Sequence, residues 1–146
     1  MHEAMRGVCK LLLGVGLLLA GLNACSKQTL DYLTSDSTME RWVQVQPAGS
    51  YEDARPSWIF LEDGTLYIFD GGCVAHPYSY TLRGKTLEIL PHFYSSEAWE
   101  KPFTFRILEC TESNLRLKLL SIPEGVTIAG LSASTDIVEL ERVGPF

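Results

Sequence analysis

The sequence predicts an all-β protein: an eight-stranded antiparallel up-and-down meander that closes into a barrel, following an N-terminal signal segment. Three observations point there. Residues Ser57 to Leu90 spell two hairpins in succession. The chain downstream repeats the same period-two alternation of apolar and polar residues between tight turns. No helical periodicity survives beyond the first twenty-five residues. A meander of this length buries one face, and curling shut removes its two exposed edges.

The chain has 146 residues, enough for one domain, with 46% apolar and 21% charged residues, the balance of a globular rather than a disordered chain. The formal charge of −6 argues against a nucleic-acid partner, which would require a basic face. Like charges never run longer than two residues, so there is no charged tail.

Residues 1–24 have the anatomy of an export signal, with Arg6 and Lys10 ahead of a charge-free, Leu-rich run from Leu11 to Leu22. That run of 12 residues is short for a membrane span, which needs roughly 20. It ends in Leu22-Asn23-Ala24-Cys25. The tetrapeptide resembles a bacterial lipobox, although Asn23 stands where Ala, Ser or Thr is commoner. The resemblance implies cleavage before Cys25 and lipid attachment to that cysteine. An ordinary secretory signal cut near Ala20 or Ala24, or an uncleaved anchor, is the alternative. Acyl chains contribute ~0.8 kcal/mol per buried methylene, so several would hold the protein on a membrane. Loss of residues 1–24 removes Glu3, Arg6 and Lys10, leaving ten basic against seventeen acidic residues, a formal −7. Such a domain is expected to hang from its leash rather than lie flat on an anionic bilayer. Residues 25–37 are read as that tether and 38–146 as the barrel domain. Ser26-Lys27-Gln28 in place of an acidic export tag favours the periplasmic face of the envelope over the cell surface.

The first strand is expected at 39–46, with Trp42 buried and Arg41, Gln44 and Gln46 at wetter positions. A Pro-, Gly- and acid-rich loop follows to Pro56. Strands at 57–62 and 65–70 flank Asp63-Gly64, and Ile59, Leu61, Leu66 and Ile68 alternate with their neighbours. Asp-Gly there predicts a type I′ turn. Gly71-Gly72 and Pro77 mark an irregular connection. Strands at 78–83 and 86–90 flank Arg83-Gly84-Lys85. A second long loop, 91–102, carries His92, Phe93, Tyr94 and Trp99. Strand six (103–110) sets Phe103, Phe105 and Ile107 against Thr104, Arg106 and Leu108. After the turn at 111–114, strand seven sets Leu115, Leu117 and Leu119 against Arg116 and Lys118. The small-residue stretch 121–134 is expected to cap one end. The last strand, 135–143, sets Val138 and Leu140 against Glu139 and Glu141.

From Trp42 onward the pattern resembles the lipocalin-like domains of small bacterial lipoproteins of the Bacteroides type. The resemblance rests on the early Trp42 and an F-x-x-D-G-T hairpin (Phe60, Asp63, Gly64, Thr65). It continues in a Y-x-L-x-G-x-T-L-x-I block (Tyr80, Leu82, Gly84, Thr86, Leu87, Ile89). Next comes an F-x-I-x-E-x-T-x-x-x-L-x-L pair (Phe105, Ile107, Glu109, Thr111, Leu115, Leu117), and Val138-Glu139-Leu140-x-Arg142 closes it. It implies a lipocalin-like fold on a lipid anchor and says little about chemistry. The G-x-W motif of eukaryotic lipocalins is absent, with Glu40-Arg41-Trp42 in its place.

The candidate ligand contacts are aromatic. Tyr67 and Phe69 on strand three, Tyr78 and Tyr80 on strand four, and Phe103 and Phe105 on strand six would line a cup for an apolar or sugar-like ligand, with Phe93, Tyr94 and Trp99 as its roof. The competing expectation is that these rings simply fill the barrel. Cys73 and Cys110 could form a disulfide in an exported protein. They leave strands three and six at opposite rims, however, which favours two free thiols. Cys73-x-x-His76 lacks the further close ligands that zinc requires. Carboxylates such as Glu52, Asp53, Glu62, Asp63 and Asp70 fall in turns and loops, where they solvate chain ends. No G-x-S-x-G elbow and no phosphate-cradling glycine motif occurs, so no catalytic group and no cofactor is expected. The expected partners are the membrane, through Cys25, and a small molecule or an envelope protein. A structural lipoprotein with a packed core is the alternative, and a hydrolase using rim carboxylates ranks last.

Overall fold

A computed structural model describes residues 29–34, 40–49, 54–71, 75–91 and 101–144. The strands are β1 (Arg41–Gln46), β2 (Ser57–Phe60), β3 (Thr65–Phe69), β4 (Ala75–Arg83), β5 (Thr86–Pro91), β6 (Phe103–Cys110), β7 (Asn114–Ser121) and β8 (Ile137–Val143). Each pairs antiparallel with the next, and β8 pairs back onto β1, closing the barrel in sequence order. The expected eight-stranded up-and-down closure is therefore the observed one.

Because successive strands reverse direction, the connections sort into two rims. The ends of β1, β3, β5 and β7 and the segment 122–136 all lie at one end, the loop rim. The tight turns 61–64, 84–85 and 111–113 lie at the other, the turn rim, together with the start of β1 and the end of β8.

Register decides which residues face inward, since directly paired residues share a face. Trp42 pairs with Trp58, Trp58 with Ile68, and Phe60 with Leu66. Tyr80 pairs with Ile89, and Ile89 with Phe103. Ile107 pairs with Leu117, and Leu117 with Val138. These inward positions form one core cluster.

Four local expectations are corrected. In β2 the inward residues are Trp58 and Phe60; Ile59 is buried on the outer side, away from that cluster. All four residues of β2 are buried, so apolarity alone carried no phase. The hairpin at Asp63-Gly64 is not type I′, which needs positive φ at both central residues. Leu61 N–H donates to Thr65 O (2.8 Å) and Gly64 N–H to Leu61 O (3.2 Å), and Gly64 has φ 88°. This is a type I turn closed by a left-handed glycine. The strand β4 begins at Ala75 rather than Tyr78. Among the described residues, 75–77 pair with β3 alone, since β5 joins at Tyr78, and an edge of this kind tolerates the missing N–H of Pro77. Finally, β8 begins at Ile137.

Both ends of the barrel are closed. At the turn rim, residues 29–33 form one helical turn inside the segment expected to be a free tether. Leu33 is buried there, Leu30 packs on the core, and Trp42 Nε1–H donates to Leu33 O (3.1 Å). At the loop rim, segment 122–136 inserts Val126, Ile128, Ala129 and Leu131. Its tip turns at Ala129 (φ 51°) and Gly130 (φ 72°), with Leu131 N–H donating to Ile128 O (2.8 Å). A Cβ on Gly130 would lie 2.4 Å from Ala48 O, so only glycine fits against β1's exit. The expectation that this stretch caps one end holds.

Candidate functional site

The predicted aromatic cup divides between two sides of the wall. Tyr78, Tyr80, Phe103 and Phe105 are buried inside the barrel. Tyr67 and Phe69 are not with them. They alternate with the buried Leu66 and Ile68, pair with Ile59 and Ser57, and so lie on the outer wall. The sequence expectation put both rings on the ligand face; strand alternation puts them outside it. Trp99 and its companions Phe93 and Tyr94 lie outside the described residues, as do Cys25 and Cys73.

The inward rings pack on one another. Trp58 meets Phe105 edge-on at 6.1 Å between centroids and Phe60 at 6.2 Å with a 39° tilt. Phe60 meets Tyr80 edge-on at 5.2 Å. Such contacts add about 0.5–1.5 kcal/mol each beyond the area they bury. Trp42, Leu66, Leu87, Phe105, Leu115, Leu117 and Val138 are all 0% exposed. A side chain with no accessible surface borders no space large enough for water, so the centre of the barrel is filled by the protein itself.

Two polar side chains within the barrel, Tyr80 and Gln44, have their polar atoms matched. Tyr80 Oη–H donates to Leu61 O at 2.6 Å. Its phenol pKa is pushed up to about 12, by burial first and then by the charges of Asp63 and Glu62. Gln44, expected at a wetter position, is instead 0% exposed, because it lies in phase with Trp42 and faces inward. Its amide is fully used: Trp58 Nε1–H donates to its Oε1 (3.2 Å), and its Nε2 donates to Pro47 O (2.8 Å) and Ala129 O (2.9 Å). Gln44 therefore ties β1, β2 and the loop-rim plug together. The available signal was its i+2 spacing from Trp42; its partner at Ala129, 85 residues away, left no trace in the sequence.

At the turn rim the Arg142 guanidinium lies 4.8 Å over the Trp42 ring, with Nη1 3.2 Å from Glu40 Oε2. The pair sits under the helical turn and belongs to the closure of that end. Cys110, at the end of β6, is a free thiol whose Sγ–H points to Thr29 O at 3.9 Å. Burial pushes its pKa up to about 11, partly opposed by Arg142. The exit of β3, which leads to Cys73, is at the loop rim, opposite Cys110.

His76 is exposed at the start of β4, and among the described residues no three His, Cys, Asp or Glu side chains converge as metal ligands. Glu62 and Asp63 are exposed in the first hairpin turn, where hydrogen bonds from the Thr65 side chain and backbone hold the Asp63 carboxyl below its usual range. Two clefts formed by described residues lie on the outer wall. One, of about 210 Å3, runs along β7 and β8 beside Arg116, which pairs with Glu139 at 3.1 Å. The other, of about 220 Å3, lies between the helical turn and β6, edged by Lys85, Leu108 and Cys110. Among the described residues no helix is long and apolar enough to cross a membrane.

These features define the class of the protein as a closed eight-stranded antiparallel β-barrel whose described inward side chains pack into one buried core. No protein-family model matches the chain, and no curated protein or solved structure matches it.

Proposed function

We propose that this protein is a lipid-anchored, non-catalytic lipoprotein of the bacterial cell envelope with a lipocalin-like barrel, which acts as a rigid scaffold presenting its outer surface to an envelope protein. The observation that carries this reading is the filled interior. Phe105, Trp58 and Trp42 occupy the space in which a lipocalin-like binder would hold a small apolar or sugar-like molecule. Recognition then falls to the outer wall and the loop rim. The anchor rests on the lipobox-like Leu22-Asn23-Ala24-Cys25 after a short apolar run, with the periplasmic face favoured by Lys27 close behind it.

Native mass spectrometry of the protein purified from membranes tests the reading. The expected species is the chain from Cys25 with added acyl mass and no stoichiometric small molecule. An intact leader, or one small molecule retained per chain, would overturn it.

A further inference from the structure

We infer that the barrel stands on the membrane by its turn rim, with the cleft between the helical turn and β6 at the contact corner and the loop rim turned away from the bilayer. The inference rests on the lipid anchor at Cys25 and adds to it an orientation and a lipid-facing surface.

The argument begins with leash length. A tether running to residue 37 would let the domain tumble at the end of more than a dozen residues. The helical turn removes most of that freedom. Thr29 is 8% exposed, Leu33 is 2% exposed, and the turn is held by the bonds from Trp42 Nε1 and Cys110 Sγ. Only Ser26, Lys27 and Gln28 separate Cys25 from the packed Thr29. Four residue steps span at most about 14 Å in any conformation. The eight residues of β6 rise about 3.3 Å each, so with ordinary strand tilt the loop rim lies roughly 20 Å farther along the barrel. The leash reaches the bilayer from the turn rim and cannot do so from the other end.

The corner where the leash leaves is suited to headgroups. Thr29 and Tyr32 form one wall of the 220 Å3 cleft, and Lys85, Leu108 and Cys110 edge it together with the exposed carboxylate of Glu109. Ile107 N–H donates to Lys85 O at 2.7 Å, which fixes the β4–β5 turn beside β6. The ladder register shifts between Ile107 and Glu109, and Leu108 is left pointing outward, 43% exposed. An ammonium group beside an exposed leucine and a tyrosine suits the phosphate and glycerol region of a phospholipid. A single lysine near an anionic surface is worth only about 1 kcal/mol, which is too little to hold a chain of −7 on a membrane but enough to bias one already tethered. The anchor supplies residence and the corner supplies orientation. It follows that segment 122–136 faces away from the bilayer.

Water-soluble amine acylation of the native lysines reads this directly. Lys85 is at the turn rim, Lys101 at the loop rim and Lys118 on the outer wall, and all three are exposed. The mature lipoprotein is labelled on vesicles of zwitterionic and anionic phospholipid. The reference is the chain beginning at Ser26, mixed with the same vesicles. Labelling of Lys85 should fall several-fold on the vesicle-bound lipoprotein, with Lys101 and Lys118 unchanged. A flexible Gly/Ser insert of about twelve residues after Gln28, spanning about 20 Å, should restore it. Equal labelling of Lys85 in both samples, or protection of Lys101 instead, overturns the orientation. The same digest reports the acyl mass on the Cys25 peptide, so absence of the anchor is told apart from a wrong orientation on an anchor that is present.

Discussion

Replacing Gln44 by leucine removes a buried amide that joins β1, β2 and the loop-rim plug. Three hydrogen bonds are lost, at 2.8, 2.9 and 3.2 Å. At about 1 kcal/mol net each, that is about 3 kcal/mol. The buried Trp58 N–H is then left without an acceptor, which adds about 1–3 kcal/mol. Leucine returns about 1–2 kcal/mol by burying more apolar surface. The expected net loss is thus about 2–5 kcal/mol, read from the urea unfolding midpoint of the chain beginning at Ser26. Hydrogen exchange should report it locally as well, with faster exchange at the amide of Leu131, bonded in the plug tip to Ile128 O. Gln44→Glu sharpens the test. A carboxylate keeps the acceptor for Trp58 but turns a negative oxygen towards two carbonyls. Its pKa is raised in the fold, so its protonated form, able to donate to one carbonyl, is favoured at low pH. Relative to wild type, the variant should therefore recover stability on acidification and lose it as pH rises. A Gln44→Leu change below about 1 kcal/mol, with plug exchange unaltered, would refute the role given to this residue.

The remaining predictions concern the core and its titrating groups. Phe105→Ala, at a 0%-exposed site against Trp58, should cost about 3–5 kcal/mol in urea unfolding and open a cavity that binds benzene, seen as a rise in melting temperature with added benzene. Tyr80 should ionise near pH 12, above an ordinary phenol, in a phenolate absorbance titration. Since its folded pKa lies above the ordinary 10, the stability it contributes is complete below pH 10 and lost as pH rises towards 12. Cys110 should resist alkylation at neutral pH in the folded protein and react once urea unfolds it, read by peptide mass; its thiol is held neutral by burial.

What the sequence made legible, and what it did not, follows from the range of each interaction. Alternation such as Leu115, Leu117 and Leu119 against Arg116 and Lys118 carries its own phase, and the inward face of β7 is as expected. The Asp63-Gly64 and Gly84 turns fixed the hairpins because a left-handed residue is a local requirement. Where both phases are apolar, as in SWIF, only pairing with β3 decides, and Ile59 went to the outer side. Tyr67 and Phe69 follow from the same register, since each neighbours an inward aliphatic residue. Gln44 is buried because Trp58 and Ala129 satisfy it, and nothing local announces partners 14 and 85 residues away. The helical turn at 29–33 is too short to show periodicity and exists because Leu33 finds the end of the barrel.

The filled interior is tested most directly by titrating the chain beginning at Ser26 with the apolar fluorophore N-phenyl-1-naphthylamine, following energy transfer from the buried Trp42 and Trp58. The structure predicts no saturable transfer at one molecule per chain, because Trp42, Trp58 and Phe105 already occupy that volume. Saturable one-to-one binding that quenches both tryptophans would contradict it, and would make the barrel a ligand carrier.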